Sequence, residues 1–136
     1  MSLSPQPQLV VAALVQKNFD PKGPILLVRR GPDMSGAGQW EFPGGKVEDG
    51  EKENEALIRE IEEELSLRVS VGKLLGEGTH HYPNKSIHLK VYWTEIVSGT
   101  LFLTEHDAHR WVEAQHIVES ELSPADRPFL KQILSF

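Results

Sequence analysis

The sequence predicts an α/β (α+β) fold, in which a mixed β-sheet lies between helices. Three observations support this: apolar, β-branched stretches flank a glutamate-rich segment, that segment has a helical pattern, and the C-terminal stretch is amphipathic. The 136 residues, 39% of them hydrophobic, can form a well-packed core but are too few for two ordinary domains. We therefore expect a single domain over residues 1–136.

Composition argues against several classes of protein. The net charge of −6 argues against nucleic-acid binding through a basic surface. The absence of cysteine excludes disulfides and thiolate metal sites. No segment is long and apolar enough to cross a membrane, and the N-terminus does not resemble a signal peptide. The sequence therefore predicts a cytoplasmic protein without membrane contact.

The first third of the chain predicts a leader, two strands and a loop. Residues 1–7 contain two prolines and predict an irregular leader. Residues 9–15 are apolar and β-branched enough for a central strand, and residues 25–30 predict a strand returning antiparallel to it. The glycines, proline and serine of residues 31–39 then predict a loop.

Strands and a final helix are expected beyond the glutamate-rich segment. Ile87, Leu89, Val91 and Trp93 alternate with other residues in the stretch 87–96, which predicts a half-buried strand. Ser123 as the capping residue and Pro124 at the first position predict the start of the final helix. The other expected elements are strands at 68–75, 76–82, 101–103 and 110–112, a polar loop at 104–107 and a short helix at 114–118.

The glutamate-rich segment at residues 45–67 carries the strongest signal. Good helix formers, with apolar residues at three- and four-residue spacing, predict a helix over residues 55–65. In that helix Glu60, Glu63 and Glu64 share one face, where their like charges repel one another. Hard cations such as Mg²⁺ prefer oxygen ligands and convert this repulsion into attraction. The alternative is a solvated acidic helix face, which periodicity alone does not exclude.

The spacing within this segment adds information, because it resembles the Nudix box, G-x5-E-x7-R-E-U-x-E-E-x-G-U, where U is aliphatic. The matching residues are Gly45, Glu51, Arg59, Glu60, Ile61, Glu63, Glu64 and Leu67. Ser66 stands where the pattern has its second glycine. A glycine after a helix usually supplies a left-handed C-terminal cap, which serine can adopt at a cost of roughly 1 kcal/mol.

This resemblance to the Nudix hydrolases, and to their MutT-like branch, implies a fold and a reaction. The fold would be an α/β/α sandwich with a mixed sheet, in which the box forms a loop-helix-loop. The reaction would be hydrolysis, by water, of a nucleoside diphosphate linked to a further group, with Mg²⁺ or Mn²⁺ as cofactor. The implied metal-binding residues are Glu60, Glu63, Glu64 and, through its backbone carbonyl, Gly45.

The resemblance also implies roles for other charged residues near the metal. Arg59 would orient a glutamate through a salt bridge. Glu51 would either bind metal directly or act as a supporting or capping residue. The general base would be Glu63 or else Glu105, which follows the last predicted strand but one, and an ordinary loop carboxylate is the alternative for Glu105.

Substrate binding is implied for Arg30, Lys46, Lys85 and Asp126 by the same resemblance. Asp126 stands where the bacterial 8-oxo-guanine enzymes of this branch carry an asparagine. A carboxylate accepts hydrogen bonds but donates only when protonated, so this departure favours a broader purine or a cytosine substrate. The alternative for Asp126 is an ordinary acid in the first turn of a helix, favoured by the helix dipole.

Three functions follow as hypotheses from these residues. The first is hydrolysis of a nucleoside triphosphate (dGTP, 8-oxo-dGTP or a CTP-like substrate) to NMP and pyrophosphate, which would sanitise the nucleotide pool. The second is removal of pyrophosphate from 5′-triphosphorylated RNA, against which the acidic chain argues. The third is a non-catalytic nucleotide-binding module, against which the intact glutamates argue. A monomer and a homodimer are both compatible with the sequence.

Overall fold

The computed structural model describes residues 6–136, which form seven strands and two α-helices. The bounds are β1 Gln8–Gln16, β2 Ile25–Arg29, β3 Trp40–Glu41, β4 Gly44–Lys46, α1 Glu53–Leu65, β5 Leu67–Tyr82, β6 Lys85–Gly99, β7 Ala108–Val112 and α2 Arg127–Leu134. Short 3₁₀ turns lie at Ala114–His116 and Glu119–Glu121. Within the described range, no helix is long and apolar enough to span a bilayer. The predicted leader falls mostly outside that range, and residues 6 and 7 have no regular structure.

The strands form two sheets. A four-stranded mixed sheet has the order β4-β1-β6-β5, in which β1 runs parallel to β6 and antiparallel to β4. The second sheet is antiparallel, with the order β3-β2-β7. The predicted α/β (α+β) fold with a mixed sheet is therefore confirmed. The predicted pairing of residues 25–30 with the first strand is wrong, because β4 and β6 occupy both edges of β1.

Two hydrophobic cores lie on opposite sides of these strands, and β1 and β2 alternate between them. The core on the α1 side contains Val11, Ala13, Val15, Leu26, Val28, Leu57, Ile61 and Leu65. The core on the α2 side contains Ala12, Leu14, Ile25, Leu27, Leu89, Val91, Trp93, Phe129 and Ile133. Helices thus cover both sides of the β-structure, as in the predicted sandwich.

The first helix owes its position to its apolar face and its ends to local hydrogen bonds. At its start, the Glu55 carboxylate accepts a hydrogen bond of 3.0 Å from the backbone N–H of Lys52, which satisfies a free helix donor. At its end, Ser66 has φ 58° and ψ 27°, and its N–H donates to the carbonyl of Glu62. Ser66 therefore adopts the left-handed cap that a glycine usually supplies at this place.

Residues 101–107 form a loop that closes over the end of α1. The backbone N–H groups of Phe102 and Thr104 donate to the carbonyls of Leu65 and Glu64, at 2.9 and 3.2 Å. Because these donors satisfy the last helix carbonyls, they are not used in a sheet. The predicted strand at 101–103 is therefore wrong.

The second helix begins later than predicted. Ser123 donates its backbone N–H to the carbonyl of Trp40, and residues 124–126 form a turn before the helix begins at Arg127. The prediction that Ser123 caps the helix is therefore wrong. Pro128, not Pro124, lies in the first turn of α2. This arrangement carries Asp126 beside β3.

Candidate active site

One face of α1 brings Glu60 against the β4 strand. A β-carbon placed at Gly45 would lie only 2.3 to 2.6 Å from the carboxyl atoms of Glu60. A side chain at position 45 would therefore displace this carboxylate, which explains the glycine at this place in the box. The close approach also brings the Gly45 backbone and the Glu60 carboxylate to one point.

Glu64 lies one turn further along the same face and is buried. Its side chain is 14% exposed, and its Oε2 atom has no hydrogen-bond partner among residues 6–136. Burial, and after it the charges of Glu60 and Glu41, raises the pKa of Glu64 to about 10. Glu105 contributes a smaller effect in the same direction. Burial and the charges of nearby carboxylates thus disfavour the ionised form of Glu64.

Arg59 lies on the outer side of the acidic helix face, which is the exposed side with Glu51 and Glu63. Its guanidinium donates to both carboxylate oxygens of Glu51, at 2.8 and 3.0 Å, and to Glu60 at 3.0 Å. The bond to Glu51 is the main cause that raises the pKa of Arg59 above its ordinary value. Glu63 is 60% exposed and lies 3.3 Å from the same guanidinium. Glu63 therefore points outward, away from the burial that surrounds Glu64.

Lys46 lies on this outer side as well. Its side chain is exposed, and its backbone carbonyl accepts a hydrogen bond of 3.1 Å from Arg59. The structure therefore groups Lys46 with the loop around Glu51. It does not group Lys46 with the other predicted substrate-binding residues.

The loop at 101–107 places Glu105 and His106 next to the inner side of the acidic face, which is the buried side with Glu64. Besides its bonds to α1, this loop is fixed to β2 by the Asp107 N–H, which donates to the Arg29 carbonyl at 3.1 Å. A β-carbon at Gly31 would lie 2.4 Å from the Glu105 carbonyl, so the two backbones pack directly together. The loop is thereby fixed to both α1 and β2.

Glu41 and His106 are site residues that the sequence analysis missed. Both oxygens of Glu41 accept hydrogen bonds from Arg30, at 2.9 and 3.1 Å, and Oε2 also lies 2.8 Å from His106 Nε2. The His106 side chain is completely buried, and its Nδ1 lies 3.7 Å from Glu64 Oε1. The available signal was a glutamate between two aromatic residues, Trp40 and Phe42, both of which are buried.

Asp126 is buried beside this group. Its carboxylate accepts a hydrogen bond of 2.9 Å from the backbone N–H of Phe42. Burial, followed by the charge of Glu41, raises the pKa of Asp126 to about 7. Although Asp126 precedes α2, its side chain makes no capping hydrogen bond to that helix. Its contact is therefore with β3 and the following residue, and not with the helix terminus.

Tyr82 connects Asp126 with Lys85. Lys85 Nζ lies 5.8 Å from the centre of the Tyr82 ring. Burial raises the pKa of Tyr82. The charge of Asp126 raises this pKa further, and the charge of Arg30 lowers it. Three predicted substrate-binding residues, Arg30, Asp126 and Lys85, are therefore brought into one neighbourhood by Glu41 and Tyr82.

The donor set suits a hard cation. The groups at the inner side are carboxylate oxygens and a backbone carbonyl, which are the ligands that Mg²⁺ and Mn²⁺ prefer. The buried Glu64 Oε2 lacks a partner within residues 6–136, and a cation would supply one. In the described part of the chain, no three acidic or histidine side chains stand together as a ready metal-ligand set. Glu63, a predicted ligand, is turned towards Arg59 and is 60% exposed.

Comparison with known proteins identifies the family. The NUDIX domain model matches residues 8–133. The chain belongs to the Nudix family. Among its relatives, CTP pyrophosphohydrolase of Escherichia coli K12 is 36% identical over 126 residues, covering 93% of this chain and 90% of that protein. A putative 8-oxo-dGTP diphosphatase 2 of Mycobacterium tuberculosis is 33% identical and covers 93% and 87%.

Solved structures agree with this assignment. The crystal structure of a MutT Nudix hydrolase from Burkholderia pseudomallei matches with a TM-score of 0.81 and 32% identity, covering 94% of this chain and 98% of that one. The predicted membership in the MutT-like branch of the Nudix hydrolases is confirmed, and with it the prediction of an enzyme that acts on diphosphate bonds. Nudix hydrolases generally use divalent metals such as Mg²⁺ or Mn²⁺.

Proposed function

We propose that this Nudix hydrolase converts a nucleoside triphosphate to NMP and pyrophosphate, with Mg²⁺ or Mn²⁺, and thereby sanitises the nucleotide pool. The observation that carries the proposal is the buried Glu64 carboxyl group, whose Oε2 atom has no partner among residues 6–136 and whose pKa is raised by burial and by the charge of Glu60. A carboxylate that only caps or solubilises a helix does not need such burial. The names of the relatives point to CTP, dGTP or 8-oxo-dGTP as the substrate class.

The proposed metal ligands are Glu60, Glu63, Glu64 and the carbonyl of Gly45. When bound there, Mg²⁺ would offset phosphate charge and lower the pKa of a bound water. Glu60 and Glu64 supply the negative charge and the oxygen atoms at the inner side. Arg59 holds the outer side by its bonds to Glu51 and Glu60, which orients Glu60 towards Gly45.

The general base is one of two carboxylates. Glu63 is the more exposed member of the acidic face and is free to turn towards a water, apart from its contact with Arg59. Glu105 is exposed on a loop that is fixed to both α1 and β2, close enough to Glu64 for its charge to raise the pKa of that residue. A base must lie near the water that it deprotonates, and this condition would decide between the two residues.

The nucleoside is proposed to lie over Asp126, Tyr82 and Lys85. Lys85, beside Tyr82, and Arg30, bonded to Glu41, supply positive charge near this group, which suits a phosphate chain and an electron-rich base. Asp126 has one carboxylate oxygen bonded to the Phe42 N–H and a second oxygen that can meet a donor on the base. An exocyclic amino group, as in cytosine or guanine, is such a donor.

The test is a substrate panel of CTP, dGTP, 8-oxo-dGTP, a dinucleotide and 5′-triphosphorylated RNA, with and without Mg²⁺. We expect NMP and pyrophosphate from a triphosphate nucleotide, and H₂¹⁸O identifies which product receives the water oxygen. Glu62→Gln is a matched control for Glu64→Gln, because Glu62 lies on the same helix with an exposed side chain. Turnover of RNA alone would replace the proposal with the RNA hypothesis, and hydrolysis of nothing would support a binding module.

Oligomeric state and cellular location stay predictions. A monomer and a homodimer are both compatible with the proposed site, whose residues all come from one chain. The cytoplasmic location is expected from the sequence only. Light scattering of the purified chain decides the first point, and cell fractionation decides the second.

A further inference from the structure

We propose that His106 is a positioning residue that holds two carboxylates of the site at once, Glu64 on the metal side and Glu41 on the substrate side. This inference rests on the proposed function, because it assigns a role within that site. His106 touches neither the phosphates nor the base in this proposal. It acts through the two glutamates that flank its ring.

The ring lies between the two carboxylates. His106 Nε2 is 2.8 Å from Glu41 Oε2, and since an ionised carboxylate only accepts, this nitrogen carries the hydrogen. The opposite nitrogen, Nδ1, lies 3.7 Å from Glu64 Oε1. Neither Nδ1 nor Glu64 Oε2 has a hydrogen-bond partner among residues 6–136. Buried polar atoms nearly always have partners, so these two atoms, on side chains that face each other, mark a place where contacts form during function.

Holding the loop in place does not require this imidazole. Thr104 fixes the loop to the Glu64 carbonyl at 3.2 Å, and Asp107 fixes it to the Arg29 carbonyl at 3.1 Å. Both anchors use backbone N–H groups and would survive a change of side chain at position 106. The completely buried ring is hydrogen-bonded to Glu41 and faces the Glu64 carboxyl group instead. An apolar side chain would fill the same space without placing a polar ring between two acids.

The two contacts lead to different parts of the reaction. Glu64 is a proposed metal ligand, and hydrogen-bonded partners behind a metal ligand orient it and sustain metal affinity. Glu41 receives Arg30 through both carboxylate oxygens, so its orientation fixes that guanidinium next to the substrate. Loss of the ring should therefore weaken metal binding and substrate binding together. A variant that restores only the contact with Glu64 should recover metal binding alone, and one that restores only the contact with Glu41 should recover substrate binding alone.

Asparagine and glutamine allow this separation. The Asn amide nitrogen stands close to the place of ring Nδ1, and the Gln amide nitrogen stands close to the place of Nε2. His106→Asn therefore keeps a polar amide towards Glu64, and His106→Gln keeps a donor towards Glu41. His109→Ala is the matched control, because His109 is exposed on β7 three residues away.

The experiment measures the affinity for Mn²⁺ without nucleotide, from the paramagnetic resonance signal of the free ion, together with KM and kcat for the best nucleotide. We expect His106→Ala to bind Mn²⁺ about tenfold more weakly or worse, and to raise KM. We expect His106→Asn to recover Mn²⁺ affinity but not KM, and His106→Gln to show the reverse. His109→Ala should match the wild type in both quantities.

The failures are distinguishable. If the folded His106→Ala variant binds Mn²⁺ and substrate as the wild type does, the positioning role is overturned while the proposed function stands. If His106→Ala does not fold, identical Mn²⁺ affinity and KM in the Asn and Gln variants overturn it in the same way. If the wild type neither binds Mn²⁺ nor hydrolyses any nucleotide, both proposals fail.

Discussion

Glu51 and Glu64 belong to the same glutamate-rich segment, but their carboxylates are balanced in different ways. Glu51 accepts two hydrogen bonds from Arg59 and one from the backbone N–H of Glu48. The bond to Arg59 is the main cause that holds the pKa of Glu51 below its ordinary value. Among residues 6–136, Glu64 has no ion pair with a lysine or an arginine, and burial raises its pKa to about 10. The first carboxylate is balanced by an ion pair, whereas burial favours the protonated form of the second.

This difference separates a structural role from a binding role on one helix. Neutralisation by Arg59 ties the loop before α1 to the helix, and Arg59 also anchors the Lys46 carbonyl. The surroundings of Glu64 disfavour its ionised form, so that form gains most when a divalent cation arrives. A bound cation would relieve the repulsion between the carboxylates, and this relief would favour metal binding. The following predictions test that separation.

The largest expected effect is on turnover. Glu64→Gln should lower kcat by at least about a hundredfold, because it removes a metal ligand and its charge. Glu63→Gln should cause a loss of at least the same size, because it removes a ligand or the general base. Steady-state kinetics on the best nucleotide measure both, with Glu62→Gln as the control on the same helix. Near-normal turnover in both variants would contradict the metal-site assignment.

The same pair should differ in stability, which sharpens the comparison. Since the folded state holds a proton on Glu64 that the unfolded state releases, metal-free stability should fall as pH rises from about 4.5 towards 10, by about 1.4 kcal/mol per unit. Glu64→Gln removes this dependence and should be the more stable protein at pH 8 in chelator. Glu63→Gln should change unfolding little, because its side chain is 60% exposed. Urea unfolding at several pH values measures both.

Metal removal should have the next largest effect. Activity should be absent in excess chelator and should return with Mg²⁺ or Mn²⁺. Mg²⁺ should also raise the melting temperature, since a ligand of the folded state adds about 2.7 kcal/mol at a hundred times its Kd. This rise should be lost in Glu64→Gln and kept in Glu62→Gln. Full activity in chelator would rule the mechanism out.

Substitution of Asp126 should have an effect of intermediate size, on the preference between nucleotides. Asp126→Asn keeps the acceptor for the Phe42 N–H but adds two donors and removes the charge. If the carboxylate contacts the base, kcat/KM for 8-oxo-dGTP should rise relative to CTP and dGTP by about tenfold, which is about 1.4 kcal/mol. The three values are measured in both proteins. An unchanged order would leave the base-reading residue unidentified.

The pH dependence of Asp126 checks its burial independently of substrate. Because burial raises its pKa to about 7, the folded state keeps a proton that the unfolded state loses above about pH 4. Wild-type stability should therefore fall relative to Asp126→Asn between about pH 4 and pH 7, and the difference should then level off. A difference that does not vary with pH would contradict an uncompensated buried carboxyl at this position.

Sequence was sufficient where short-range geometry determines the structure. The helix, its acidic face and the left-handed Ser66 all follow from residues within one or two turns of each other. The same reasoning failed for β2 and for residues 101–103, whose hydrogen bonds depend on partners far along the chain. Whether a strand pairs with its neighbour in sequence depends on which edges are still free, and no local pattern records that.

The inner part of the candidate site was unpredictable for the same reason. Glu41 and His106 are 65 residues apart in sequence, yet their side chains are 2.8 Å apart. His106 lies between two acidic residues, Glu105 and Asp107, so local sequence predicts an exposed polar loop. Only the packing of this loop against both α1 and β2 buries the imidazole. Asp126 was found through resemblance, and its burial came from the turn that carries it to β3.

The smallest expected effect belongs to Ser66, which lies outside both charge arrangements. Its φ of 58° is strained for a residue with a side chain, and its exposed side chain has no packing to lose. Ser66→Gly should raise the free energy of unfolding by roughly 0.5 to 1 kcal/mol, because relief of that strain exceeds the entropy that glycine adds to the unfolded chain. Ser70→Gly, at an exposed position of strand β5, should instead lower the free energy of unfolding by a similar amount. Neither the Mn²⁺ affinity nor the turnover of Ser66→Gly should change, since the backbone already has the required conformation. A destabilised Ser66→Gly, or one with weaker metal binding, would show that this serine does more than end the helix.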